Sequence, residues 1–111
     1  MRAKLISLVI LVTLLTSQSF GQNKGVTISG SIKDKADKSA LSYVNVVLKT
    51  EKDSAFAAGT VSNEEGRFTL TNIKPNNYYF EISIIGYVTK RQSIYVGSLS
   101  EFLDVSSIDL E

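Results

Sequence analysis

The chain has 111 residues, enough for one domain and too few for two. It has no histidine and no cysteine, which excludes Ser–His and Cys–His nucleophile pairs, nitrogen- or thiolate-ligated zinc and disulfide staples. Its 12 basic and 11 acidic residues are interspersed from Lys33 onward, so neither a footprint for nucleic acid nor a polybasic patch for anionic lipid is expected.

The first element reads as a targeting segment. Arg2 and Lys4 precede an apolar run from Leu5 to Leu15, broken only by Ser7 and Thr13, and the polar stretch TSQSFGQ follows. That run is shorter than the roughly 18–20 residues that cross a bilayer as a helix. Ser19 and Gly21 are small residues placed for a cut before Gln22, the pattern of a secretory signal peptide. The expected organisation is therefore a signal peptide over residues 1–21, a short linker over 22–25 and one folded domain over 26–111. Cleavage removes Arg2 and Lys4 and keeps every acid, leaving about one net negative charge and no expected membrane span in the mature chain.

From Val26 onward, apolar residues alternate between turn-rich polar clusters, the period of half-buried strands. VTISGSIKD places Val26, Ile28, Gly30 and Ile32 on one face, and DKADKSA is a polar loop. YVNVVLKT turns Val44, Val46 and Leu48 inward and Tyr43, Asn45 and Val47 outward. AFAAGTVS is a weaker strand of small residues, and GRFTLTNI points Phe68 and Leu70 inward. Pro75 and Asn76 in KPNN suit a tight turn. YYFEISII then puts Tyr78, Phe80, Ile82 and Ile84 on one face, and Gly86 breaks the strand. The next strand ends in Ile94 and Val96, GSLSEFLDVS is expected as a loop plugged by Leu99 or Phe102, and SIDLE closes with Ile108 and Leu110. Seven short strands without a helix predict an all-β sandwich.

The stretch SNEEGRF, residues 62–68, sets two adjacent glutamates beside Asn63 and Arg67. Glu64 and Glu65 are adjacent, and neighbours on extended backbone point to opposite faces, so they do not converge on one bond as a glycosidase pair must. Asn63, Glu64 and Glu65 lack the ligand spacing of a calcium loop. No catalytic, cofactor-binding or metal-ligating residue is expected. Asn63 is suited to bond its own backbone two residues on and Gly66 to take a positive φ, so the stretch is expected to be a hairpin joining GTVS to RFTL, with Phe68 as the first inward residue.

From this corner onward, GTVSNEEGRFTLTNIKPNNYYFEISIIGY resembles the central signature of the carboxypeptidase-regulatory-like domain family. Gly66, Phe68, Ile73, Pro75, Tyr78, Gly86 and Tyr87 match that signature, and Gly30, Asp34, Leu41 and Val46 match the family's opening strands. The likeness covers roughly residues 26–110. It departs at Ser62-Asn63, where the family has Thr-Asp, and at Asn76, where it has glycine. Asparagine tolerates the left-handed conformation best after glycine, so Asn76 is expected to keep the turn.

The resemblance implies a seven-stranded Greek-key sandwich, transthyretin-like, with no catalytic residues and no cofactor. A signal followed directly by such a domain resembles the front of TonB-dependent receptors and related outer-membrane β-barrel proteins of the Bacteroidota. It implies a periplasmic, outer-membrane-associated accessory domain whose partner is a protein or a downstream β-barrel. A plug and barrel encoded beyond Glu111 would make the chain the front of a receptor, and a stop there would make it a stand-alone module. The competing reading is a secreted, starch-binding-like carbohydrate module. Tyr43, Tyr79 and Tyr95 fall on outward faces, where one sheet could present them together to a glycan, whereas Tyr78 is expected in the core.

Overall fold

Period-two alternation becomes seven strands in the computed structural model, which describes residues 25–98 and 101–111. The expected signal peptide, most of the linker and Leu99 lie outside the described residues. The strands are β1 (Val26–Asp34), β2 (Asn45–Thr50), β3 (Phe56–Val61), β4 (Arg67–Ile73), β5 (Asn76–Ser83), β6 (Lys90–Val96) and β7 (Phe102–Leu110), with no helix among the described residues. They form two sheets, one in the order β4-β1-β7 and one in the order β3-β2-β5-β6. β1 is antiparallel to β4 and parallel to β7, whereas every pairing in the four-stranded sheet is antiparallel.

The inward residues meet as the alternation requires. Ile28, Ile32, Phe68, Leu70, Ile108 and Leu110 from one sheet face Val46, Leu48, Tyr78, Phe80, Ile82 and Val96 from the other, all buried. Phe68 and Phe80 join the two layers edge to face, with centroids 5.8 Å apart and ring planes at 74°. Such a pair adds roughly 0.5–1.5 kcal/mol beyond the area it removes from water. Gly30 lies beneath this contact. A Cβ there would stand 2.8 Å from the Phe68 ring and 2.7 Å from Val105.

Three sequence expectations are corrected. The SNEEGRF corner is not a hairpin, because β3 and β4 belong to different sheets and the chain crosses from one layer to the other there. GSLSEFLDVS is not a plugged loop. Its second half starts β7, and Phe102 is 65% exposed. Asn76 is the first residue of β5 and not a left-handed turn residue; the asparagine with positive φ is Asn72, at 59°.

The β7 correction has its cause in a bulge. In β7 the partly buried positions Leu103 and Val105 give way to buried Ile108 and Leu110, so the inward parity changes from odd to even. The change falls at a β-bulge, where Ser29 and Ser31 of β1 oppose Asp104 and Ser107, and Ser106 takes φ 60°. β4 changes parity in the same way between Leu70 and Ile73, at Asn72. An extra residue in one strand flips every later side chain to the other face.

Candidate functional site

The corner's polar groups are engaged in making the crossing. The Asn63 side-chain oxygen accepts from the amides of Glu65 at 3.0 Å and Arg67 at 2.9 Å, while the Gly66 amide donates to the Asn63 carbonyl at 2.9 Å. Gly66 takes φ 75°, and its carbonyl accepts from the Ile32 amide at 2.7 Å, tying the corner to β1. Glu64 and Glu65 are exposed. Ser62, which sequence reasoning passed over, is 1% exposed. Its hydroxyl accepts from the Val44 amide at 2.9 Å and donates to the Leu41 carbonyl at 2.7 Å, so it holds the segment leading into β2. A lone serine before an asparagine carries no signal for this role in a single sequence.

The expected tyrosine platform divides. β5 and β6 pair Tyr79 with Ser93 and Asn77 with Tyr95, which makes Tyr79 and Tyr95 diagonal neighbours on the outward face of the four-stranded sheet. Diagonal positions are about 7–8 Å apart, within reach of aromatic rings. Tyr43 does not join them. It precedes β2 with φ 59°, six positions before Lys49, the residue paired with Tyr79. At about 3.3 Å per residue the separation is roughly 20 Å. Tyr43 belongs to the corner, with its amide bonded to the Ser62 carbonyl at 2.9 Å and its hydroxyl 3.5 Å from a Glu64 carboxylate oxygen.

Phe56 takes the place expected for Tyr43. A bulge in β3 puts Phe56 opposite Lys49, so Phe56, Lys49, Tyr79 and Ser93 form one row across the four strands. Strict alternation would have placed Phe56 on the inner face with Ala58, and the bulge left no mark in AFAAGTVS. Beside this row, Glu81 accepts from Lys49 at 3.4 Å and from Arg91 at 3.2 Å. The face thus carries exposed Phe56 and Tyr95, half-buried Tyr79 and a charged stripe across three strands.

The remaining motif residues are structural. The buried Tyr78 hydroxyl donates to the Lys74 carbonyl at 2.6 Å, bracing the turn that holds Pro75, and burial pushes its phenol above the ordinary value. Ile84–Tyr87 is a β-turn closed by a 3.2 Å bond from the Tyr87 amide to the Ile84 carbonyl, with Gly86 at φ 94°. That geometry lifts Ile85 into full exposure, with Val88 71% exposed beside it. Tyr87 anchors the turn by donating to Asp34 at 2.7 Å. This bond, with the Asp37 and Ala36 amides, holds the Asp34 carboxyl below its ordinary value, and the same bond pushes the Tyr87 phenol up. The open groove of about 670 Å³ below the turn is rimmed by Asp34, Lys35, Tyr87 and Glu111. Its charges are already paired, Lys35 with Glu111 at 3.3 Å and Asp34 with Tyr87.

Comparison with known proteins agrees with this architecture. A protein-family model described as CarboxypepD_reg-like domain matches residues 28–108. Among solved structures, the group B streptococcus pilus 2b backbone protein superposes with a TM-score of 0.59 at 16% identity, covering 78% of this chain and 40% of its own. The major pilin subunit BcpA of Bacillus cereus gives 0.63 at 14% identity, covering 79% of this chain and 30% of its own. Klebsiella pneumoniae 5-hydroxyisourate hydrolase gives 0.57 at 17% identity, with 76% and 90% covered. At these identities the likeness is one of fold, and the chain spans less than half of either pilin. No curated protein matches the sequence.

Proposed function

The chain belongs to the CarboxypepD_reg-like domain family, and from that premise we propose that it is a non-catalytic accessory domain. Its place is the periplasm, as part of an outer-membrane TonB-dependent receptor system. The observation that carries the reading is the Ile84–Tyr87 turn. Ile85, fully exposed on a turn closed by its own hydrogen bond and anchored through Tyr87, lies beside exposed Val88 and offers another protein an apolar point of contact. The corner, by contrast, directs its polar atoms into its own backbone. Export should yield a chain beginning at Gln22 in the periplasmic fraction, recovered with an outer-membrane receptor. Replacing Ile85 and Val88 by serine should reduce that recovery without unfolding the domain. A cytoplasmic chain with an intact amino terminus would refute the proposal.

A second reading rests on the row of Phe56 and Tyr79 with Tyr95 beside it, since aromatic faces on one sheet can stack on sugar rings. A glycan array should then give a signal that disappears in the Tyr79→Ala, Tyr95→Ala double variant. A silent array removes this reading and leaves the first intact.

A further inference from the structure

Two sheets of three and four strands leave four edges: β4, β7, β3 and β6. An edge strand presents unpaired backbone donors and acceptors, and proteins commonly blunt it with a bulge that interrupts the row. Three of these edges are blunted in that way. β4 is bulged at Asn72 and β7 at Ser106, each with a positive φ, and β3 is bulged between Phe56 and Ala58. β6 is the exception. Its seven residues pair with β5 in unbroken register, from Lys90 opposite Ile82 to Val96 opposite Asn76. Among the described residues, no strand pairs with its other side.

We propose that β6 is a strand-addition site and that its occupant is β6 of a second copy of this chain, antiparallel about a two-fold axis at Ser93. The sequence of the strand selects this occupant. KRQSIYV carries both cations at its start, Lys90 and Arg91, and its bulky apolar and aromatic residues, Ile94, Tyr95 and Val96, at its end. Parallel pairing in register would set Arg91 against Arg91 and Lys90 against Lys90, and like charges directly opposite destabilise a sheet.

The two-fold antiparallel register removes both clashes. On the outward face Arg91 lies opposite Tyr95 of the second copy, twice by symmetry, and a guanidinium over an aromatic face is favourable. On the inner face Gln92 lies opposite Ile94 and Lys90 opposite Val96. Self-complementarity of this kind is what an isologous interface requires. Arg91 is 64% exposed at its side chain while bonded to Glu81, so its outer side is open to the second copy. The product is a continuous eight-stranded sheet whose outward face unites the Tyr79 and Tyr95 of both copies.

The test uses residues 22–111, which hold the whole described core. Sedimentation equilibrium over a range of about 1 to 500 µM should show concentration-dependent dimers, as for a small interface. Ser93→Lys places two ammonium groups face to face on the axis from an exposed position, and should weaken the dimer at least tenfold with an unchanged circular dichroism spectrum. Ser93→Cys places two thiols on directly opposed positions, about 4.5–5.5 Å apart at Cβ, in a chain with no other cysteine. Mild oxidation should trap it as a covalent dimer much faster than Val61→Cys, which is exposed on the bulged β3 edge. A monomer at every concentration, a dimer that survives Ser93→Lys, or equal cross-linking of the two cysteine variants would overturn the proposal.

Discussion

The corner at Asn63–Phe68 and the turn at Ile84–Tyr87 look alike in sequence. Each has a glycine followed at once or one residue later by an aromatic, and each glycine has positive φ, 75° at Gly66 and 94° at Gly86. Their surroundings are opposite. A Cβ on Gly66 would stand 2.6 Å from the Ile32 carbonyl oxygen, whereas a Cβ on Gly86 would meet nothing within 4 Å. Gly66 is pressed against β1 and the corner's aromatic is 2% exposed, while Ile85 and Gly86 stand clear of the sandwich and the turn's two ends, Ile84 and Tyr87, pack back against it. The same local signal therefore serves packing at one site and presentation at the other. Burial, which the motif does not encode, separates them.

The contrast predicts its largest effect at Phe68. Truncation to alanine removes the ring that meets Phe80 across the core and should cost about 3–5 kcal/mol, measured by urea denaturation. A cost below about 1 kcal/mol would mean that the corner does not pack as described.

The two glycines give the sharper comparison. Gly86→Ala meets only the conformational penalty of positive φ, about 1–2 kcal/mol. Gly66→Ala meets that penalty and also pushes against the Ile32 carbonyl, which already accepts from the Leu41 amide at 3.0 Å. Its cost should reach about 3 kcal/mol or more, since the bonds tying the corner to β1 shift as well. Equal destabilisation of the two variants would erase the distinction between a packed and an open glycine.

Much of this architecture was legible in the alternation. Val26, Ile28 and Ile32, or Tyr78, Phe80 and Ile82, hold one parity through their strands and emerge buried as expected. Bulges account for part of what the alternation does not show. Asn72, Ser106 and the Phe56–Ala57 step each insert a residue, and a single sequence does not say whether a broken period marks a loop or a bulge. The same limit applied to the candidate site. The shared outward parity of Tyr79 and Tyr95 is legible because β5 and β6 run unbroken, whereas Tyr43 lies two residues before the strand expected to carry it, which begins at Asn45. The sheet-to-sheet crossing at SNEEGRF carries the sequence signal of a hairpin, because both need asparagine and glycine. Only the strand order tells them apart.

The smallest expected effect concerns what holds the open turn. The Tyr87 hydroxyl donates to Asp34, which also accepts from the Ala36 amide at 2.8 Å and the Asp37 amide at 3.2 Å. Folding therefore lowers the Asp34 carboxyl and raises the Tyr87 phenol. A lowered carboxyl means that the folded chain binds fewer protons than the unfolded one. The stability it contributes is fully present above the ordinary aspartate value, about 3.9, and is lost as pH falls through the folded value. A raised phenol acts in the other direction. Its contribution is present below the ordinary tyrosine value, about 10, and is lost as pH rises through the folded value. Denaturation midpoints measured from about pH 2 to 12 should thus fall at both ends for the parent chain. Tyr87→Phe removes the alkaline limb due to this pair and flattens the acid limb only in part, because the two amides still bond Asp34. Asp34→Asn flattens the acid limb further, leaving the contribution of Asp53, whose carboxyl is lowered by the Thr50 hydroxyl. The site is exposed, so the shifts should be small beside those at Phe68 and Gly66. Acid limbs that superimpose for the parent, Tyr87→Phe and Asp34→Asn would show that the turn is not anchored through this bond.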